Sequence, residues 1–294
     1  MVLARGRRLV QIEAKKPRVA KAGLKGVSGI SPTEPLGAFD VLRRRLRRRV
    51  ENGQWAGLAA CVFVDGKLRL LEEAGHADLE GKTPMTKHSL VRLYSMTKCI
   101  VAAAVLQLAE GGHFGLNDKL SDHIPAFGSP RVVCEGLDGL PNFQRRVPAK
   151  GPILIRHLLT HTSGISCGLA PGLDGPKTRK PRERAWAGIY APLVGRVDRG
   201  EIRDLAHWVD ELAALPLFDQ PGATYGYGYS YDVLGHLVEL KSGMKLARYL
   251  QEHIFNPLGM RDSCFDLASG PGLASRRSRL SVLYRHAQAQ QQQQ

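Results

Sequence analysis

The apolar positions of the first hundred residues predict a helix followed by a β-hairpin. In GAFDVLRRRLRRRVENG the apolar residues recur at helical spacing, and Asn52-Gly53 ends the pattern. These apolar positions are Phe39, Leu42, Leu46 and Val50. The next stretch, GLAACVFVDGKLRLLEEAG, has two apolar runs around Asp65-Gly66, a dipeptide typical of the type I′ turn. We therefore expect two antiparallel strands after the first helix.

Helical patterns dominate the rest of the chain. Residues 95–110 are apolar almost all round and stop at Gly111-Gly112, which predicts a buried helix. ILIRHLLTHTSG predicts a short helix entering a turn, and EIRDLAHWVDELAAL an amphipathic helix. YDVLGHLVELKSG and MKLARYLQEHIF predict a further helical pair. Residues 166–200 are rich in glycine, proline and arginine, so we expect a surface excursion or lid there.

The positive charge of the protein is concentrated near its N-terminus. The net charge is +15, but residues 1–50 alone hold 14 Lys and Arg against 3 Asp and Glu. We expect residues 1–34 to form a basic, disordered arm, residues 35–286 one domain, and residues 287–294 a glutamine-rich tail. The arm could be solvated, bind phosphates as in nucleic acid, or serve as an organellar presequence. Nucleic-acid contact is not expected to be the main function, because the body carries little excess charge.

Composition excludes several classes of protein. A hydrophobic content of 43% with 23% charged residues is typical of globular chains, and no apolar run is long enough to span a bilayer. The five cysteines are odd in number and lack CxxC spacing, which favours a reducing compartment. We expect a cytoplasmic protein, with mitochondrial import through the arm as the alternative. His157 and His161 lack the glutamate of a metalloprotease motif, so neither a metal nor a cofactor is expected.

A serine and a lysine stand one helical turn apart at the start of the apolar segment 95–110. In RLYSMTKCIVAAAVLQLAEGG, Ser95 and Lys98 share one helix face and can come within hydrogen-bond reach. A desolvated lysine can take the serine proton, and the alkoxide can then attack a carbonyl carbon. The same spacing recurs at Ser242 and Lys245, in a glycine-containing turn that would not bury the lysine. On spacing alone, an ordinary helix start stays the alternative at Ser95.

Three segments in order resemble the serine β-lactamase-related family, especially its class C and carboxylesterase-like branches. They are GHADLEGKTPMTKHSLVRLYSMTKCIVAAAVLQLAEGGHFGLNDKLSDHIP, ILIRHLLTHTSGI, and LPLFDQPGATYGYGYSYDVLGHLVELKSG running into FNPLGMRDSCF. The similarity covers residues 36 to about 286. It implies an α+β fold of the β-lactamase/transpeptidase type, with an antiparallel sheet flanked by helices and a helical subdomain.

The resemblance also implies roles for individual residues. Ser95 would be the nucleophile, Lys98 its activator, and Tyr227 a proton carrier between serine and leaving group. Tyr229 occupies the place of a family asparagine, which implies substrate contact and favours ester-type substrates. Because four tyrosines alternate from Tyr225 to Tyr231, a register shift of two residues is left open. We expect acyl transfer on small esters or amides through a Ser95 acyl-enzyme.

One family element has no match in the expected place. The family carries Lys-Thr-Gly or a His/Trp-x-Gly variant on a strand beside the site, after the segment that resembles SRRSRLSVLYRH. KTR at 177–179 lies in a charged excursion, and HFG at 113–115 in a loop. We therefore expect a member that is incomplete at its C-terminus and lacks the later strands of the sheet. A catalytically inactive fragment or pseudoenzyme that acts as a binding module is the alternative function.

Overall fold

The computed structural model describes residues 39–138, 140–167, 181–265 and 273–284. The predicted basic arm and glutamine-rich tail lie outside the described residues. The chain divides into two compact units. We call residues 39–92 with 273–284 the sheet unit, and the described residues between 93 and 265 the helical unit.

Each of the two units contains both helices and strands. The sheet unit contains α1 (Asp40–Glu51), β1 (Gly57–Val64), β2 (Lys67–Asp78), β3 (Thr83–Pro84) and α8 (Leu273–Arg279). The helical unit contains α2 (Thr97–Glu110), β4 (Arg131–Glu135), β5 (Pro141–Pro148), α3 (Ile155–Leu159), α4 (Pro181–Asp198), α5 (Leu205–Ala213), α6 (Ser230–Ser242) and α7 (Leu246–Leu250). The predicted α+β class is confirmed.

The N-terminal helix and hairpin form as predicted. In the sheet unit, β1 pairs antiparallel with β2, and β2 with β3. Asp65 and Gly66 have φ values of 51° and 70°, the left-handed conformation that a type I′ turn requires at both central residues. Residues 273–284 join the same unit, since Ser281 donates its backbone N–H to Leu90 and Leu90 donates its own to Arg279.

A buried carboxylate fixes α1 on the hairpin. Glu72 on β2 is only 2% exposed and forms ion pairs with Arg43, at 3.1 Å, and with Arg47. A buried carboxylate is strongly unfavourable without cationic partners, and these two arginines compensate the negative charge of Glu72. Their orientation follows from helical spacing, because residues four apart lie on one face.

Helix α6 lies at the centre of the helical unit. Eight residues of α6 are buried, and the helix packs against α2, α3, α5 and α7. The prediction that the helix 95–110 is buried almost all round was wrong in part. Val101, Ala104, Val105 and Leu108 are buried, but Leu106 is 42% exposed. Gln107 and Glu110 are exposed on the same side as Leu106, but two polar residues near the end of the helix were too few to indicate the solvent side.

Helix α4 and the β4–β5 hairpin of the helical unit were not predicted from the sequence. Residues 181–198 form α4, so the expected surface excursion is wrong for this part, while residues 168–180 lie outside the described residues. Trp186, Tyr190 and Leu193 of α4 are buried at helical spacing, a pattern that the surrounding Gly, Pro and Arg obscured. The β4–β5 hairpin received no prediction, although it pairs from Arg131↔Pro148 to Glu135↔Pro141.

Candidate active site

Ser95 lies where a 3₁₀ turn enters α2. The turn spans Tyr94–Met96, and α2 begins at Thr97. Ser95 is exposed, and the preceding Tyr94 has a φ of 46°, a conformation that is uncommon for a bulky residue. Lys98 follows in the first turn of α2 and donates to Ser95 Oγ at a distance of 3.3 Å. The predicted approach of serine and lysine side chains is present.

Tyr227 reaches the same serine oxygen from a distant part of the chain. Its hydroxyl donates to Ser95 Oγ at 2.6 Å, although the two residues are 132 positions apart. Lys98 Nζ lies 4.9 Å from the centroid of the Tyr227 ring, within the range of a cation–π contact. Ser95 Oγ therefore accepts hydrogen bonds from both Lys98 and Tyr227, and Lys98 Nζ also faces the Tyr227 ring.

The tyrosine loop is held by the segment that follows α3. Gly222 donates its backbone N–H to Thr162, at 2.7 Å, and Gly226 donates to His161, at 2.8 Å. A Cβ atom on Gly228 would lie 2.4 Å from the carbonyl oxygen of Ile165, so only glycine permits this approach of the two backbones. These contacts flank Tyr227 on both sides in sequence and fix the position of its backbone.

The ring of His161 lies beside Tyr227, a contact that was not predicted from the sequence. Its ring centroid lies 4.8 Å from that of Tyr227 and 5.1 Å from that of Tyr231. Burial, and secondarily the charge of Lys98, lowers the pKa of His161 to about 4. The family resemblance implies that the turn THTSG, which contains His161, shapes the site without binding a metal. It did not indicate a contact between the His161 ring and the ring of Tyr227.

Among the hydrogen bonds of the described residues, none joins Ser95 to the other tyrosines of the alternating series. The Tyr229 ring packs 5.1 Å from that of Trp208 and 5.5 Å from that of Tyr190, and burial raises its pKa. Tyr225 is 61% exposed, and Tyr231 donates its hydroxyl to Leu159. The predicted substrate-binding role of Tyr229 gains no support from these contacts and stays a prediction.

The second serine–lysine pair has a different environment. Ser242 Oγ donates to the carbonyl oxygen of Val238 at 2.6 Å and accepts from the N–H of Met244 at 3.2 Å. Lys245 Nζ pairs with Glu239 at 3.6 Å. Both side chains therefore bond to other groups near the junction of α6 and α7, and the Lys245 ammonium pairs with Glu239 rather than with Ser242.

Of the two candidate third elements, HFG at 113–115 lies among the described residues and KTR does not. KTR at 177–179 lies outside the described residues. HFG at 113–115 follows α2, which spans about 20 Å from the Ser95 end to the other. Phe114 is buried there, and Gly115 donates its backbone N–H to Asp118.

The described ranges contain no candidate metal cluster and no candidate membrane span. Residues 39–138, 140–167, 181–265 and 273–284 include no group of three or more His, Cys, Asp or Glu side chains suited to a metal ion. In the same part of the chain, no helix combines the length and the apolar character needed to cross a bilayer.

Several known proteins are similar to this chain in sequence and in fold. Esterase EstB from Burkholderia gladioli is 34% identical over 211 residues, which are 71% of this chain and 47% of that protein. Monacolin J acid methylbutanoyltransferase from Aspergillus terreus is 31% identical over 196 residues, 66% of this chain and 42% of that protein. The structure of unliganded simvastatin synthase (LovD) from Aspergillus terreus aligns with a TM-score of 0.61 at 27% identity, covering 82% of this chain and 58% of that one.

The family assignment rests on the larger part of the chain. The chain spans about half the length of the curated relatives it matches. The profile described as beta-lactamase matches residues 42–283, which include Ser95, Lys98 and Tyr227. The protein belongs to the beta-lactamase family.

Proposed function

We propose that this protein catalyses acyl transfer from small esters or amides through an acyl-enzyme on Ser95. The observation that carries the proposal is the convergence of Lys98 and Tyr227 on one serine oxygen, at 3.3 and 2.6 Å. A serine hydroxyl is a weak nucleophile unless a neighbouring base accepts its proton. Two proton carriers within hydrogen-bond reach provide both that base and the later acid.

The proposed reaction proceeds in two halves. Ser95 Oγ forms a bond to the acyl carbon while its proton passes to Lys98 or Tyr227, whichever is unprotonated. The bond to the leaving group breaks, and the same pair returns the proton to the departing oxygen or nitrogen. In the second half, water or an alcohol attacks the acyl carbon and loses its proton to the same pair. The bond between the acyl carbon and Ser95 Oγ then breaks, and the pair returns the proton to Ser95 Oγ. Because Ser95 stands at the N-terminal end of α2, the helix dipole favours negative charge on the reacting oxygens.

The substrate class is proposed from the relatives and from one sequence difference. One similar protein is named an esterase and another a methylbutanoyltransferase, so an ester carbonyl and either a water or an alcohol acceptor are the chemistry we propose. Tyr229 stands where the family has an asparagine, which also favours ester substrates over β-lactams.

The test is acylation of Ser95 by a fluorophosphonate probe, located by peptide mass spectrometry. We expect one adduct on the peptide that contains Ser95, and loss of labelling in Ser95→Ala. Ser242→Ala is the matched control, because Ser242 has the same spacing to a lysine, and we expect full labelling in that variant. The alternative, a binding module without catalysis, predicts no adduct on a folded protein.

We also propose a cytoplasmic location. All five cysteines lie in described residues and none forms a disulfide, as is usual in reducing compartments. The mitochondrial alternative is tested by fusing residues 1–34 to a fluorescent protein. Mitochondrial fluorescence in transfected cells would contradict the cytoplasmic proposal.

A further inference from the structure

His161 combines an unusual backbone with a buried ring. Its φ is 55°, in the left-handed region that few residues other than glycine adopt, although histidine and asparagine adopt it more readily than most. The residue is 8% exposed, and its backbone oxygen accepts the N–H of Gly226 at 2.8 Å. This backbone conformation directs the ring toward the tyrosine loop rather than toward solvent.

The ring lies among three tyrosines, one of which reaches Ser95. Its centroid is 4.8 Å from the Tyr227 ring at an interplanar angle of 35°, with Tyr231 at 5.1 Å and Tyr225 at 6.0 Å. Among the described contacts, no hydrogen bond joins this ring to Ser95 or Lys98. A role in placing Tyr227 therefore fits the geometry better than a role in proton transfer.

We propose that His161 is a positioning residue, whose imidazole ring packs on the Tyr227 ring and holds the phenol hydroxyl at Ser95. This inference rests on the proposed acyl-transfer function. The lysine beside the same tyrosine explains why the imidazole must be uncharged. Lys98 Nζ already lies 4.9 Å from the Tyr227 ring, and a second cation at His161 would repel it. Burial and the charge of Lys98 keep the pKa of His161 low, at about 4, so the imidazole is neutral at physiological pH.

Two substitutions separate the ring from the backbone. His161→Asn keeps a residue that tolerates positive φ but removes the ring. His161→Phe keeps an aromatic ring that cannot be protonated, although it tolerates positive φ less well than histidine, so its unfolding midpoint is measured beside its labelling rate. Aromatic contacts contribute about 0.5–1.5 kcal/mol, so we expect His161→Asn to slow fluorophosphonate labelling of Ser95 by up to about tenfold. His161→Phe should restore the rate to within about threefold of wild type, and should remove any acid limb of the labelling rate near pH 4.

A double-mutant cycle distinguishes positioning from general loss of structure. If His161 acts through Tyr227, His161→Asn should slow labelling in the wild-type background but have little further effect in Tyr227→Phe, where the hydroxyl is already absent. An equal loss in both backgrounds would overturn the proposal. His157→Asn is the matched control, since His157 lies in α3 and accepts the backbone N–H of Leu154 rather than contacting the tyrosines.

The outcomes separate this inference from the proposed function. Wild-type labelling at Ser95 with an unchanged rate in His161→Asn would overturn the positioning role and leave the acyl-transfer proposal standing. An unlabelled but folded wild-type protein would refute the acyl-transfer proposal, and the positioning role with it. Where His161→Asn loses its near-ultraviolet circular dichroism, His161→Phe decides: a folded Phe variant that no longer labels would overturn the role of ring packing.

Discussion

Replacing Tyr227 by phenylalanine isolates one hydrogen bond of the candidate site. The substitution removes the hydroxyl that donates to Ser95 Oγ at 2.6 Å. It keeps the ring, so the contacts of that ring with His161 and with Lys98 Nζ remain possible. The change in rate therefore reports the hydroxyl rather than the packing of the loop.

The expected magnitude follows from the position of the lost donor. Proton transfer by a positioned side chain typically contributes about 10²–10⁴ in rate, and the Tyr227 hydroxyl is within hydrogen-bond distance of the proposed nucleophile. We therefore expect Tyr227→Phe to slow labelling of Ser95 by at least about 100-fold, with little change in the unfolding midpoint.

The assay is the second-order rate constant for fluorophosphonate labelling, measured beside two tyrosine controls. Tyr225→Phe removes a hydroxyl from a side chain that is 61% exposed, and Tyr229→Phe alters one that packs on Trp208. Both should stay within about threefold of wild type if neither hydroxyl acts on Ser95. A harmless Tyr227→Phe together with a damaging Tyr229→Phe would refute the reasoning and shift the tyrosine assignment by two residues.

Three further predictions concern the same site. Gly228→Ala should slow labelling and lower the melting temperature, because its Cβ would lie 2.4 Å from a backbone oxygen; Gly226→Ala, whose nearest atom would be 3.8 Å away, should do neither. Lys98→Ala should abolish labelling, whereas Lys245→Ala should leave it intact, and equal effects would contradict the assignment. Folding lowers the pKa of His161 from about 6.5 to about 4, so the unfolded protein binds this proton more tightly than the folded protein does. The free energy of unfolding should therefore fall as the pH drops from about 6.5 through about 4. Urea unfolding at both pH values should show a smaller loss in His161→Phe.

Local sequence patterns predicted those parts of the structure that depend on neighbouring residues. The Asp65-Gly66 turn requires positive φ at two adjacent positions, and few dipeptides other than this kind supply it. The approach of Lys98 to Ser95 likewise follows from helical spacing alone. Tyr227 is 132 residues from Ser95, and it entered the site only through the resemblance to a known family.

Features that depend on distant packing could not be predicted in the same way. The role of His161 depends on a ring contact across separate segments, and no spacing rule relates it to Tyr227. The helix α4 was hidden because its buried residues, such as Trp186, are separated by Gly, Pro and Arg that are typical of loops. For α2, Gln107 and Glu110 are the polar residues of an exposed side that is otherwise apolar, and the buried side is defined by the packing of α6.

The most direct test of the central claim is to trap the acyl-enzyme formed with p-nitrophenyl acetate. Acid quenching during the first turnovers, followed by peptide mass spectrometry, locates the acetyl group. The proposed function predicts release of one equivalent of p-nitrophenol in a burst, with the acetyl group on Ser95 and no burst in Ser95→Ala. An acetyl group on Ser242, or a burst that persists in Ser95→Ala, would contradict it.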